Sequence, residues 1–148
     1  MDVNKNSYTF IFATIMVLVV AALLSFTATT LKPYQDSNIE KEKMQNILSS
    51  IGVDVDREEA ESIYPKYITK QIVIKNGKPQ DGVDAFTVDM AKQVKMPALQ
   101  RNAPLYIADK DGDTFFIIPL RGTGLWGPIW GYISLEGDLP TVTGQIFY

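Results

Sequence analysis

The sequence predicts an α+β protein: one N-terminal transmembrane helix, then a small domain in which helices precede an antiparallel sheet. Two changes of pattern carry that expectation. Charge is absent between Lys5 and Lys32, and residues 10–26 (FIFATIMVLVVAALLSF) are almost wholly apolar. Beyond them apolar residues recur first at helical spacing, then from residue 67 in short β-rich runs divided by turn signals. Helices followed by a run of strands is the order of an α+β domain, whereas parallel α/β folds alternate the two. A chain of 148 residues leaves room for one modest domain besides the anchor.

The anchor comes first. A helix of about 20 apolar residues rises about 30 Å, the thickness of a bilayer's hydrocarbon core. Tyr8 and Phe10 suit one interface, Lys32 and Tyr34 the other. A buried core helix is one competing reading, but a domain of this size could not cover such a helix on every side. A cleaved signal peptide is another, with Lys5 as its basic region and the small residues of 25–30 as its cleavage site. Against it, the apolar stretch exceeds the usual length, and Phe26 breaks the small-x-small pattern before Ala28. The segment is read as an uncleaved anchor; with no cysteine after it, a lipoprotein anchor is excluded. Positive charge does not fix the orientation, since Lys5 precedes the helix and Lys32, Lys41 and Lys43 follow it. A short leading segment and a large, mildly acidic domain favour residues 1–7 as a cytoplasmic tail, 8–31 as the spanning helix and 32–148 as the domain outside.

Pro33 is expected to end the membrane helix, because it has no N–H to continue the ladder. Ser37 and Glu40 then form a capping box for a second helix, with Met44, Ile47, Leu48 and Ile51 on one face and Gly52 as its stop. Asp56 and Glu59 form another box, ahead of a shorter helix that must end before Pro65. Residues 67–75 (YITKQIVIK) read as a strand and Asn76-Gly77 as a tight turn. Residues 84–94 hold a helical turn or two. Four more strands are expected, at 105–108, 114–120, 129–135 and 142–147. The last runs up to Tyr148, so the sheet is expected to be incomplete at its C-terminal end.

Composition removes whole classes of chemistry. With no Cys there is no disulfide framework and no thiolate metal site. With no His, imidazole ligation and His-based acid–base catalysis are absent too, and most hydrolase mechanisms with them. A formal charge of −3 and no basic cluster argue against nucleic acid as a partner. Residues 109–113 (DKDGD) resemble half a calcium loop, but glycine falls fourth and Leu120 stands where the bidentate Glu belongs. A hairpin turn explains that segment, and no metal is assigned. The acidic residues of 54–61 read as a solvated helix face.

The informative segment is 122–132 (GTGLWGPIWGY), in which four glycines, a proline and two tryptophans crowd between two strands. Glycine lets backbone approach a ligand closely, and Leu125 and Trp126 offer the flat apolar surface that flanks an aromatic ring. A dinucleotide fingerprint is excluded, because that motif leads into a helix and this one leads into a strand. The plain alternative is a glycine-rich connection whose tryptophans fill the core.

Read with Arg121 before it, this stretch resembles the signature of the C subunit of the sodium-translocating NADH:quinone reductase. It is similar, more loosely, to that of the G subunit of the Rnf electron-transport complex. The resemblance covers nearly the whole chain, and Pro128 with Trp130 favours the reductase over the Rnf protein. It implies a flavoprotein of the bacterial cytoplasmic membrane, with its FMN-binding domain on the periplasmic side. FMN would pass electrons from NADH towards quinone, in company with other membrane subunits of a complex that exports sodium. It implies that Thr123, Gly124, Leu125, Trp126 and Gly127 lie near the isoalloxazine ring. In the family a threonine of a Ser/Thr-Gly-Ala-Thr motif carries the flavin phosphate. That motif does not occur in these residues, nor does the His-x-x-Glu-Thr-Pro-Gly-Leu-Gly stretch. The resemblance therefore implies that both follow residue 148, and that these residues alone offer no covalent attachment. The uncharged helix has no ion ligand, so sodium is expected to move through other subunits. The rival class is a non-catalytic envelope or assembly protein, pilin-like or scaffold, whose helix packs against partners.

Overall fold

The computed structural model describes residues 6–137 and 141–148; residues 1–5, most of the expected tail, lie outside them. The chain divides after Ile39 into two compact units. The first is helical. Helix α1 (Asn6–Ser50) contains a stretch long and apolar enough to cross a membrane. Met16, Leu18, Leu24 and Phe26 lie on different sides of it and are all exposed. A helix apolar on every side and covered by no protein suits lipid rather than water.

Pro33 does not end α1, contrary to expectation; it sits inside the helix. Proline forfeits one backbone bond, here to the carbonyl of Thr29, and hydroxyls in the turns before it bond back to the helix. Thr29 Oγ1 donates to the Ser25 carbonyl at 2.8 Å and Thr30 Oγ1 to that of Phe26 at 2.9 Å. Lys32 and Asp36 add an i,i+4 pair across the proline. Ser37 and Glu40 therefore occupy helix interior, and no capping box forms there.

The second unit begins at Glu40 with the last turns of α1. Gly52 does stop that helix. At φ +69° it closes a Schellman motif, in which Val53 N–H donates to the Leu48 carbonyl at 3.1 Å and Gly52 N–H to that of Ser49 at 3.0 Å. Lys110 Nζ reaches the Ile51 carbonyl at 2.8 Å, placing a cation at the negative end of the helix dipole. Helix α2 (Arg57–Tyr67) runs past Pro65, again a correction, since the proline falls in the last turn and forfeits only its bond to the carbonyl of Glu61, an exposed residue. Asp56 caps α2 by position, its carbonyl accepting from Glu59 and Ala60, but its carboxylate makes no capping bond. A 3-10 turn at Ala85–Thr87, the short helix α3 (Met90–Gln93) and a 3-10 turn at Ala98–Gln100 complete the helical part.

The described residues form six antiparallel strands, two before those short turns and four after them: β1 (Ile68–Lys75), β2 (Lys78–Gln80), β3 (Ala103–Lys110), β4 (Asp113–Thr123), β5 (Pro128–Glu136) and β6 (Val142–Phe147), in the spatial order β2-β1-β3-β4-β5-β6. The α+β class is borne out. Asn76 and Gly77 take φ of 50° and 71° between β1 and β2, and Asp111 and Gly112 take 55° and 95° between β3 and β4. These are two-residue hairpin turns of the type that matches strand twist, so residues 109–113 form a turn.

The core lies on one face of the sheet. Ile68, Val73, Tyr106, Ala108, Ile117 and Tyr132 pack there against Ile47, Leu48 and Ile51 of α1 and Tyr64 of α2. Burying one such aliphatic side chain stabilises by about 1.5–3 kcal/mol. The tightest contact is at Gly144, where any Cβ would collide with the Ser50 carbonyl. Ser134 Oγ donates to that same carbonyl at 2.5 Å, pinning the end of α1 to the middle of β5.

Candidate functional site

Strands β4 and β5 pair from Phe115 with Glu136 to Thr123 with Pro128, leaving residues 124–127 as the loop. Side chains alternate along β4, so Ile117, Pro119, Arg121 and Thr123 share one face. The first two are buried, Arg121 is half-buried, and Thr123 is exposed. The hairpin thus carries the core face out beyond the core.

The loop is held by its glycines. Gly124 N–H donates to the Gly127 carbonyl at 2.7 Å. A Cβ at Gly124 would stand 2.7 Å from Ile129 Cδ1 and 2.8 Å from its Cγ1, and Gly127 sits at φ +153°, which side chains rarely adopt. The closed turn throws Leu125 and Trp126 outward, 92% and 97% exposed. Trp126 therefore does not fill the core, and Trp130 has a different duty. It lies opposite Arg121 on β5, with the guanidinium carbon 4.0 Å from its ring centre. Backbone bonds in both directions join Trp130 to Tyr148, at 3.0 and 3.1 Å.

All five residues expected at the site, Thr123 to Gly127, fall in this hairpin tip, and none touches the buried core cluster. Arg121, which opens the signature stretch, is not among the five. Its Nη1 is buried and has no hydrogen-bond partner. The signal was available: a charge at the third position of the face begun by Ile117 and Pro119.

Behind the tip stands a row of phenols. Tyr106 and Tyr132 meet edge to face with ring centres 6.4 Å apart, and Tyr106 Oη donates to the Ala85 carbonyl at 3.1 Å. Burial pushes the Tyr132, Tyr106 and Tyr64 hydroxyls far above the ordinary phenol range, so they stay protonated and serve as packing groups. Burial likewise lowers the Lys43 ammonium, which donates to the Phe86 carbonyl and sits 4.4 Å from the centre of that ring. Among the described residues no group of acidic side chains could hold a metal ion.

The tip and its arginine set side by side flat apolar surface, close backbone and a guanidinium with one buried N–H, a combination chemically suited to a planar group bearing acceptors. Known proteins agree with the fold and narrow the kinship. No protein-family model matches the chain. The C subunit of the Na(+)-translocating NADH-quinone reductase of Pseudomonas aeruginosa is 31% identical, over 98% of this chain and 64% of its own length. That of Vibrio campbellii is 29% identical, over 88% and 59%. The crystal structure of the same reductase's C subunit from Parabacteroides distasonis superposes with a TM-score of 0.72 at 38% identity, covering 80% of this chain and 57% of that one. The Shewanella oneidensis NqrC structure, 22% identical with a TM-score of 0.60 over 74% and 59%, shares the fold. The chain is similar to the C subunit of the Na(+)-translocating NADH-quinone reductase over most of its own length, and it spans 57% to 64% of the length of these proteins.

Proposed function

We propose that this chain is a membrane-anchored flavoprotein subunit that passes electrons through FMN within a sodium-translocating NADH:quinone reductase. The observation that carries the reading is the hairpin tip, where Leu125 and Trp126 stand 92% and 97% exposed on a turn that requires Gly124 and Gly127. Two large apolar side chains left in water cost solvation free energy, and a ligand that covers them recovers it. The tip fits a flavin. Leu125 and Trp126 would offer it flat apolar cover, Gly124 and Gly127 would let the backbone come close, and Thr123 would add a hydroxyl beside them. Bound FMN supplies the electron chemistry; the protein binds, orients and shields it.

In this reading residues 8–31 cross the bacterial cytoplasmic membrane, residues 1–7 are a cytoplasmic tail, and the domain of 32–148 works on the periplasmic side. Its partners are the other membrane subunits. The chain alone turns nothing over, and sodium takes another path, because no charged side chain lies between Asn6 and Leu31. Capture of the tagged native protein from solubilised membranes tests this. The captured material is expected to carry NADH:quinone reductase activity and a flavin that NADH bleaches. Capture of a protein with neither contradicts it.

A further inference from the structure

We propose that Arg121 is a further flavin-binding residue, its guanidinium donating to an acceptor-bearing group of the cofactor. This rests on the flavin reading above and adds a residue to it. A buried N–H donor without an acceptor is rare in native folds, because leaving it unpaired forfeits its hydration for nothing. Arg121 Nη1 is such a donor. Nor is its charge matched along the hairpin: the acidic residues of β4 and β5, Asp113 and Glu136, lie at the opposite end of both strands. The side chain is held in place by the Trp130 ring at 4.0 Å. Its remaining donors are therefore oriented before any ligand arrives, which lowers the entropic cost of binding. It stands two residues before Thr123 on the same face of β4, where that face leaves the core for the tip.

An arginine fork recognises planar or anionic oxygen acceptors. A flavin offers that chemistry at two places, the carbonyls of its pyrimidine edge and its phosphate. Two-electron, one-proton reduction leaves one negative charge on the pyrimidine edge at neutral pH. A guanidinium there would favour the reduced form, whereas one at the phosphate would leave the redox equilibrium untouched.

The test uses the full-length protein, produced in cells that attach no flavin to it and titrated with FMN and with riboflavin, followed by midpoint potentials of the loaded protein. Arg121→Gln is expected to weaken FMN binding about tenfold or more, the loss of one charge-assisted hydrogen bond. Arg121→Lys, which keeps the charge without the fork, is expected to fall between and serves where the glutamine variant does not fold. At the pyrimidine edge, riboflavin weakens equally and the potential falls by about 30 mV for each tenfold preference for the reduced form. At the phosphate, riboflavin binding and the potential stay as in the wild type. Wild-type affinity and potential in both variants overturn the role of Arg121 while leaving the flavin reading standing. A wild-type protein that takes up neither flavin overturns both.

Discussion

The β4–β5 hairpin can be compared with itself, end against end. At one end Ile117 pairs with Ser134, both fully buried, and Ser134 ties the sheet to the end of α1. At the other, Thr123 pairs with Pro128 and leads to Leu125 and Trp126, which touch little but solvent. One continuous ladder joins the two. The buried end makes the strands rigid, and the exposed end uses that rigidity to hold a short loop in one shape. Stability and the proposed flavin binding would then lie at opposite ends of a single supersecondary unit, and substitutions should separate them.

The largest effect is expected at the buried end. Ile117→Ala removes a fully buried side chain and should lower stability by about 2–5 kcal/mol in thermal melting, with flavin affinity per folded molecule unchanged. Parallel loss of both would mean that the ends are not separable. Ser134→Ala takes a hydrogen bond from the Ser50 carbonyl, and a loss of about 1–3 kcal/mol is expected by the same measurement. An unchanged melting point would show that the clasp between α1 and β5 is not needed.

At the exposed end the balance reverses. Replacing Leu125 and Trp126 together with alanine should leave melting within about 0.5 kcal/mol of the parent, while flavin binding weakens about tenfold or more by titration. A destabilised protein with normal affinity would refute the assignment of the tip.

The smallest effect concerns pH, and it belongs to the helical side. Glu58 is held below the ordinary carboxylate range by the hydrogen bond from Lys41 at 2.6 Å and by that ammonium's charge. A carboxylate whose folded pKa is depressed adds stability above its unfolded value, about 4.3, and loses it as pH falls through the folded value. Acid melting curves of Glu58→Gln should therefore be slightly flatter than the parent's in that window, and salt should shrink the difference because the pair is exposed. Flavin affinity at the tip should not follow this titration.

Much of the fold was legible because local signals and tertiary demands agreed. Asn76-Gly77 and Asp111-Gly112 are turns by their own backbone preferences, Gly52 is a C-terminal stop, and the alternation in β3 to β6 matches a sheet with one covered face. The prolines misled. Pro33 and Pro65 each remove one hydrogen bond, yet a long helix carries on past the first and the last turn of α2 contains the second, which spacing along a sequence does not reveal. Ser37 and Glu40 show the converse, a capping pair that forms no cap because the helix before it never ends. The tip was legible as composition, since four glycines and two tryptophans in eleven residues demanded an account. What composition could not convey was that Trp126 points out while Trp130 stacks on Arg121, a distinction set by the register of β4 against β5.

A flavin held at the hairpin tip would show in the visible absorption spectrum and intact mass of the native protein purified from its own membrane. The native protein is expected to be yellow, with a flavin band that bleaches on reduction and weakens in the Leu125 and Trp126 double variant, and with an FMN-sized addition to the mass if the link is covalent. A colourless, unmodified native protein would contradict it.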